Sequence, residues 1–224
     1  MSKPIRIALV GATGLVGMSL IRLAVGRSDI RIVGIARREA ALPPGARMEL
    51  LVADPENWGD AIAAANADVL VCALGTTWRK AGKDEAAFRA VDETLVLACA
   101  MAAKAAGLRQ MIVISSVGAE PFSKNFYLRV KGEVEQKLGK VGLPRLDILR
   151  PGLLRGPRAE RRPAEQLAMA ASPLADLFLH GAYSKYRSIK AETVARAIVG
   201  LTRETMAGRF VFEHDAILRA ARRA

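Results

Sequence analysis

The stretch Ile5-Arg6-Ile7-Ala8-Leu9-Val10-Gly11-Ala12-Thr13-Gly14-Leu15-Val16-Gly17 decides how the rest of the chain is read. Ile5 to Val10 form an apolar, β-branched run, and a helical pattern from Leu15 to Val25 follows the glycines. This is strand, tight turn, helix. Such a turn lets the backbone approach a pyrophosphate, while the helix N-terminus offers it unpaired N–H groups and a partial positive charge. Gly11 allows the sharp turn, Gly14 the close approach, and Gly17 the seating of the helix against the sheet. The spacing is G-x-x-G-x-x-G rather than G-x-G-x-x-G, but the strand before it and the helix after it are the context that a dinucleotide site requires.

Outward from this unit, strands and helices alternate. Ile30–Ala36 is a near-continuous apolar run, as a buried parallel strand requires. Met48–Ala53, Ala67–Leu74, Gln110–Ile114 and Leu146–Leu149 read as further strands. Helices are expected at Trp58–Asn66, at Asp84–Ala106 with Gly107 as its C-cap, and at Asn125–Leu138. Alternation of this kind means a parallel sheet with right-handed crossovers, and six strands suggest a doubly wound α/β fold in the order 3-2-1-4-5-6. Ligands in such sheets bind beyond the carboxyl ends of the strands. Past Gly152 the alternation weakens: Arg155–Pro163 reads as a basic loop, Ala164–Leu179 and Ala191–Arg203 as helices, Arg209–Glu213 as a short strand, and Asp215–Arg223 as a terminal helix. The expectation is one domain over residues 1–224, with a core at 1–152 and a small lobe at 153–224 above the crevice.

Composition agrees. The 224 residues suffice for one domain with a sizeable core, and 51% hydrophobic with 5% aromatic residues describe an Ala/Leu/Val-rich α/β chain rather than a disordered one. The net charge of +12 raises a nucleic-acid partner. The basic residues are scattered, without a block or interleaved aromatics, so a solvated basic surface is the expectation instead. Cys72 and Cys99 read as core residues in a reducing compartment, and His180 and His214 are isolated, so no metal site is expected. Arg22 interrupts the first apolar stretch and no window of 18 uncharged apolar residues occurs, so neither a signal peptide nor a membrane span is expected. A cytoplasmic location follows from these points.

Candidate site residues gather at strand ends. Arg37, twenty residues after Gly17, and Arg38 stand where an acidic residue would hold the ribose 2′-hydroxyl of NAD. Their planar donors suit a 2′-phosphate, which favours NADP(H) over NAD(H). Asp54 ends the third strand, where it could accept from an adenine amino group or cap the following turn. Tyr127 and Lys131 lie four apart on one helix face, about 6 Å along its axis. The lysine charge favours the phenolate, which suits Tyr127 to proton transfer at a carbonyl or alcohol during hydride transfer. Ser115 and Ser116 end the neighbouring strand and place a hydroxyl near the substrate oxygen.

Gly11–Gly17, Ser116, Tyr127 and Lys131 together resemble the short-chain dehydrogenase/reductase superfamily. Cys72-Ala73-Leu74-Gly75-Thr76-Thr77, Lys80-Ala81-Gly82, Tyr127 to Glu135 and Arg150-Pro151-Gly152 narrow this to the atypical, Tat-interacting-protein-like branch of NADPH-binding proteins. The resemblance covers residues 5–155 well and the remainder loosely. It implies a Rossmann-like fold and cofactor contacts at Gly11, Thr13, Gly14, Leu15, Val16, Gly17, Arg37 and Arg38. It further implies Leu74 and Gly75 beside the cofactor, Lys131 on the ribose, Pro151 and Gly152 near the nicotinamide, and Ser116, Tyr127 and Lys131 as the catalytic set. Many superfamily members carry an asparagine on the long central helix; the corresponding stretch here, Val91-Asp92-Glu93-Thr94, offers Asp92.

Two functions are compatible with these residues. One is an NADPH-dependent reductase of an unknown small carbonyl-like substrate, with Thr76 to Lys80 on one wall and Phe122, Tyr183 and Tyr186 on the other. In that reading Arg79, Lys80, Lys83 and Arg155 would attract an acidic substrate or simply form a solvated basic loop. The second is an NADPH-binding sensor with little turnover that acts through a protein partner. The Ala/Leu stripe of Asp84–Ala106 reads as core or as a homodimer helix.

Overall fold

A computed structural model describes residues 3–39, 41–156 and 179–224. Seven parallel strands form one sheet in the order β3-β2-β1-β4-β5-β6-β9: β1 Ile5–Val10, β2 Ile30–Ala36, β3 Glu49–Val52, β4 Val69–Cys72, β5 Gln110–Ile114, β6 Arg145–Leu149 and β9 Gly208–Phe212. β1 lies at the centre, with Val10 opposite Ile35 on one side and Cys72 on the other. The doubly wound α/β fold expected from the alternation is present.

The continuous apolar character of these strands has a direct cause. Side chains alternate across a strand, so Ile7 and Leu9 enter one core while Ala8 and Val10 enter the other. On the first face the sheet packs against α1 (Leu15–Ala24) and α6 (Ala191–Leu201). On the second it packs against α2 (Trp58–Ala64), α4 (Val96–Ala105) and α5 (Phe126–Val141). No strand residue of β4, β5 or β6 is exposed.

The central helix differs from the expected unbroken Asp84–Ala106. Asp84 caps α3 (Glu85–Arg89) by accepting from the Ala87 N–H at 2.6 Å. A π-helical turn, Ala90–Leu95, then leads into α4. The wider turn carries Asp92 inward to full burial. Asn125 caps α5 by accepting from the Leu128 N–H, and Gly142, at φ +80°, ends it.

The region past Gly152 departs further from expectation. Its short strand is β9, which pairs in parallel with β6 from Arg145↔Gly208 to Leu149↔Phe212. α6 packs on α1 and on α7 (His214–Ala221), so the described part of the expected small lobe is built onto the main sheet. A two-residue pair, β7 (Leu154–Arg155) with β8 (Ile189–Lys190), ties the two sides of this region together. The helix expected at Ala164–Leu179 and most of the Arg155–Pro163 loop lie outside the described residues. Among the described residues no helix is long and apolar enough to cross a membrane.

Candidate active site

The glycine turn is built as its spacing requires. Gly11 has φ +87°, and a Cβ there would stand 2.5 Å from the Ala73 carbonyl oxygen. A Cβ at Gly17 would collide with the Gly11 carbonyl and stand 2.9 Å from the Ala12 Cα, so α1 sits directly on the turn. Gly14 is the N-cap of α1; no side chain caps it and no acidic residue occupies the first turn. The first-turn N–H groups, which have no partner within the helix, are therefore left for an anion. Thr13, Gly14, Leu15 and Val16 all line one cavity of about 960 Å³. That volume lies at the upper end for small-molecule sites.

One end of the cavity is strongly basic. Arg37 and Arg38, at the end of β2, line it together with Arg22 from the last turn of α1. Arg22 was not anticipated from the sequence, although its helix runs beside that strand end. Leu74, Gly75, Thr76, Thr77 and Lys80 supply the wall that leaves β4. An uncapped helix end and a cationic rim fit the phosphates of a dinucleotide.

At the other end stand Tyr127, Lys131, Ser115 and Asp92. Lys131 Nζ forms a buried ion pair with Asp92 Oδ1 at 2.8 Å and lies 6.0 Å from the Tyr127 ring centroid. Burial works against the lysine charge, but Asp92 and Tyr127 outweigh it and hold its pKa above the ordinary lysine value. Asp92 Oδ2 also accepts from the Thr76 N–H at 2.7 Å, fastening the β4 loop to the same carboxylate. Ser115 Oγ donates to the buried Glu135 at 2.5 Å, and Glu135 in turn holds Arg150. Glu135 lies one helical turn beyond Lys131 on α5, a spacing that was visible but unread.

Other expected residues lie elsewhere. Ser116 does not line the cavity; its hydroxyl donates to the Val117 carbonyl at 3.3 Å. Asp54 is exposed at the N-cap of a 3₁₀ turn, Pro55–Asn57, without a side-chain cap bond, and is also outside the lining. Pro151 accepts from the Val117 N–H, and Gly152 makes room for the Arg187 carbonyl, so both serve backbone packing here. Phe122, Tyr183 and Tyr186 are exposed and do not form the opposite wall of this cavity.

Sheet order, uncapped helix and basic rim together define a Rossmann-like dinucleotide-binding protein. A family model described as NAD(P)H-binding matches residues 11–205, and the chain belongs to that family. Relatives include the protein fmp52, mitochondrial, of Emericella nidulans, 37% identical over 72% of each chain. HTATIP2 of Rattus norvegicus is 39% identical over 71% of this chain and 67% of its own. Among solved structures, MoeE5 with UDP-glucuronic acid and NAD aligns with a TM-score of 0.72 at 15% identity, covering 92% of this chain and 75% of that one. A UDP-glucose 4-epimerase of Thermotoga maritima aligns at 0.69 and 12% identity, covering 92% and 76%. These structures share the fold. The resemblance to atypical short-chain dehydrogenase/reductases is upheld.

The cytoplasmic expectation is corrected. Fungal relatives at 32–37% identity are named as mitochondrial, which speaks against that expectation. Two buried cysteines, and no spanning helix among the described residues, do not distinguish one reducing compartment from another.

Proposed function

We propose that this chain is an NADPH-dependent oxidoreductase that reduces a small carbonyl compound, with Tyr127 as its proton donor. The observation that carries this reading is the shared cavity: Tyr127 and the charged Lys131 line the same space as the uncapped α1 N-terminus. Arg37 and Arg38 favour the 2′-phosphorylated cofactor, since a guanidinium pair bonds a phosphate in a way a ribose hydroxyl cannot match. NADPH held against the α1 N-terminus, Arg37 and Arg38 would supply the hydride for the carbonyl carbon. Tyr127 Oη donates its proton to the carbonyl oxygen, completing the alcohol. Lys131 stabilises the phenolate left behind and retains N–H donors, beyond the one facing Asp92, for a ribose hydroxyl. Because the Ser115 proton is directed to Glu135, its oxygen accepts toward the cavity and can receive the hydroxyl of the product alcohol. Ser116, in the sequence reading the catalytic serine, stands one residue further from this space.

Positioned general acids contribute about 10²–10⁴ in rate. Tyr127→Phe should therefore lower kcat at least about 100-fold and leave the NADPH dissociation constant within about twofold, as read by nicotinamide fluorescence. Normal turnover by Tyr127→Phe overturns the assignment. A second reading, an NADPH sensor with little turnover acting on a protein partner, is favoured by the position of Ser116 outside the cavity. NADPH oxidation against a panel of carbonyl compounds separates the two.

A further inference from the structure

From the two-sided contact at Asp92 we infer that this carboxylate is a positioning residue of the site: it holds the Lys131 ammonium in place and ties it to the wall that leaves β4, so that lysine and wall act as one unit. The inference deepens the reading of Lys131 as the residue that serves cofactor and phenolate, and rests on it.

Asp92 is fully buried and lines the cavity together with Lys131, Gly75 and Thr76. Its two oxygens face two different donors. Oδ1 lies 2.8 Å from Lys131 Nζ, and Oδ2 accepts from the Thr76 N–H at 2.7 Å. A Cβ at Gly75 would stand 3.6 Å from Oδ1, so the chain leaving β4 runs directly against the carboxylate. Only a carboxylate can accept on both sides. An asparagine, which many superfamily members carry on this helix, has one oxygen and one NH2 group. Whichever way it turned, the NH2 would face either the ammonium or the Thr76 N–H, donor against donor. The aspartate is therefore what this pair of partners requires.

Asp92 reaches this point from the π-helical turn Ala90–Leu95, and such turns are frequent at functional sites. Its neighbour Glu93 is engaged by Arg89 and Lys137; among the described residues, Lys131 is the one cation in contact with Asp92. The Lys131 side chain is 8% exposed. Without a counter-charge, a buried ammonium gives up its proton or leaves its place. The titratable groups facing Lys131 are Asp92 from the π turn, Cys72 from β4, and Tyr127 and Glu135 from its own helix. Glu135 is held by Arg150, and burial keeps the Cys72 thiol neutral. Of the groups that oppose the burial of Lys131, Asp92 acts most strongly. Loss of its charge would remove the stabiliser of the phenolate and the donors to the ribose together.

The full chain, labelled with ¹³C at lysine Cε, is titrated by NMR, and the Lys131 signal is assigned by its loss in Lys131→Met. Wild-type Lys131 should stay charged beyond the ordinary lysine midpoint of about pH 10.4. In Asp92→Asn the burial remains and the counter-charge is gone, so the midpoint should fall by about one to three pH units, to below 10.4. A midpoint at about 10.4 in the variant means that the site has merely opened to solvent. An unchanged midpoint means that Asp92 does not hold the charge. Either result overturns the inference. NADPH dissociation constants, read by nicotinamide fluorescence, complete a double-mutant cycle. Asp92→Asn should weaken NADPH about three- to tenfold in the wild-type background, the contribution of one hydrogen bond, and have no effect in Lys131→Met. Equal weakening in both backgrounds shows Asp92 acting other than through Lys131 and also overturns the inference. Turnover is scored separately. A wild type that binds NADPH but oxidises it with none of a panel of carbonyl compounds overturns the reductase reading, while the lysine titration and the cycle decide the role of Asp92.

Discussion

At the scale of single residues, the glycine turn and the arginine pair make the sharpest demands. Gly17 leaves no space for a methyl group, since the obstructing atoms are backbone of the turn itself. Gly17→Ala should cost about 3 kcal/mol, the upper end for overpacking, because neither α1 nor the turn can yield independently. Chemical denaturation measures this directly. Arg37→Ala combined with Arg38→Ala should weaken NADPH about 10- to 100-fold, the worth of one or two charge-assisted hydrogen bonds, while NADH changes by about twofold or less. Parallel titrations with the two cofactors check the preference. The placement of these residues was legible in the sequence because it follows from position along a strand–turn–helix unit. Asp92 as a partner of Lys131, and Glu135 as a partner of Ser115, were not, because each pairing joins elements whose mutual distance no local pattern records.

Elements show the same division. β1, β2 and β5 match their expected bounds, since buried parallel strands announce themselves as unbroken apolar runs. The π turn at Ala90–Leu95 was hidden, because one extra residue per turn barely alters an Ala/Leu-rich pattern. β9 was foreseen as a strand but not as the seventh of the sheet; its residues are half-exposed, so nothing local marks it as a partner of β6. The facing of β4 and α4 also has a consequence for pH. Burial pushes the Cys72 thiol up to about 11 and raises Cys99 further, whereas the unfolded thiols ionise near 8.5. Between those values the unfolded chain has released protons that the folded chain keeps. Stability is thus fully present below about pH 8.5 and falls above it, by about 1.4 kcal/mol per pH unit for each thiol. Denaturation of wild type and Cys72→Ala from pH 8 to 10.5 should show a shallower decline in the variant.

For the molecule as a whole, cofactor and fold are coupled. The α1 N-terminus, the ends of β2 and β4, and α5 all contribute to one cavity, so a ligand there binds only the assembled sheet. At 100 times its dissociation constant, NADPH should add about 2.7 kcal/mol, which for a chain of this size raises the melting temperature by about 5–10 °C. Differential scanning calorimetry with and without NADPH tests it. The position of β9 has a further meaning for synthesis. β6 is buried along its length and made from residues 145–149, yet the strand that covers its edge is made from residues 208–212. During translation the sheet therefore waits with an unpaired edge while the intervening chain emerges, and such edges recruit foreign strands. A chain that stops before Gly208 should leave β6 without its edge partner and aggregate more readily than the full chain, as light scattering during refolding measures.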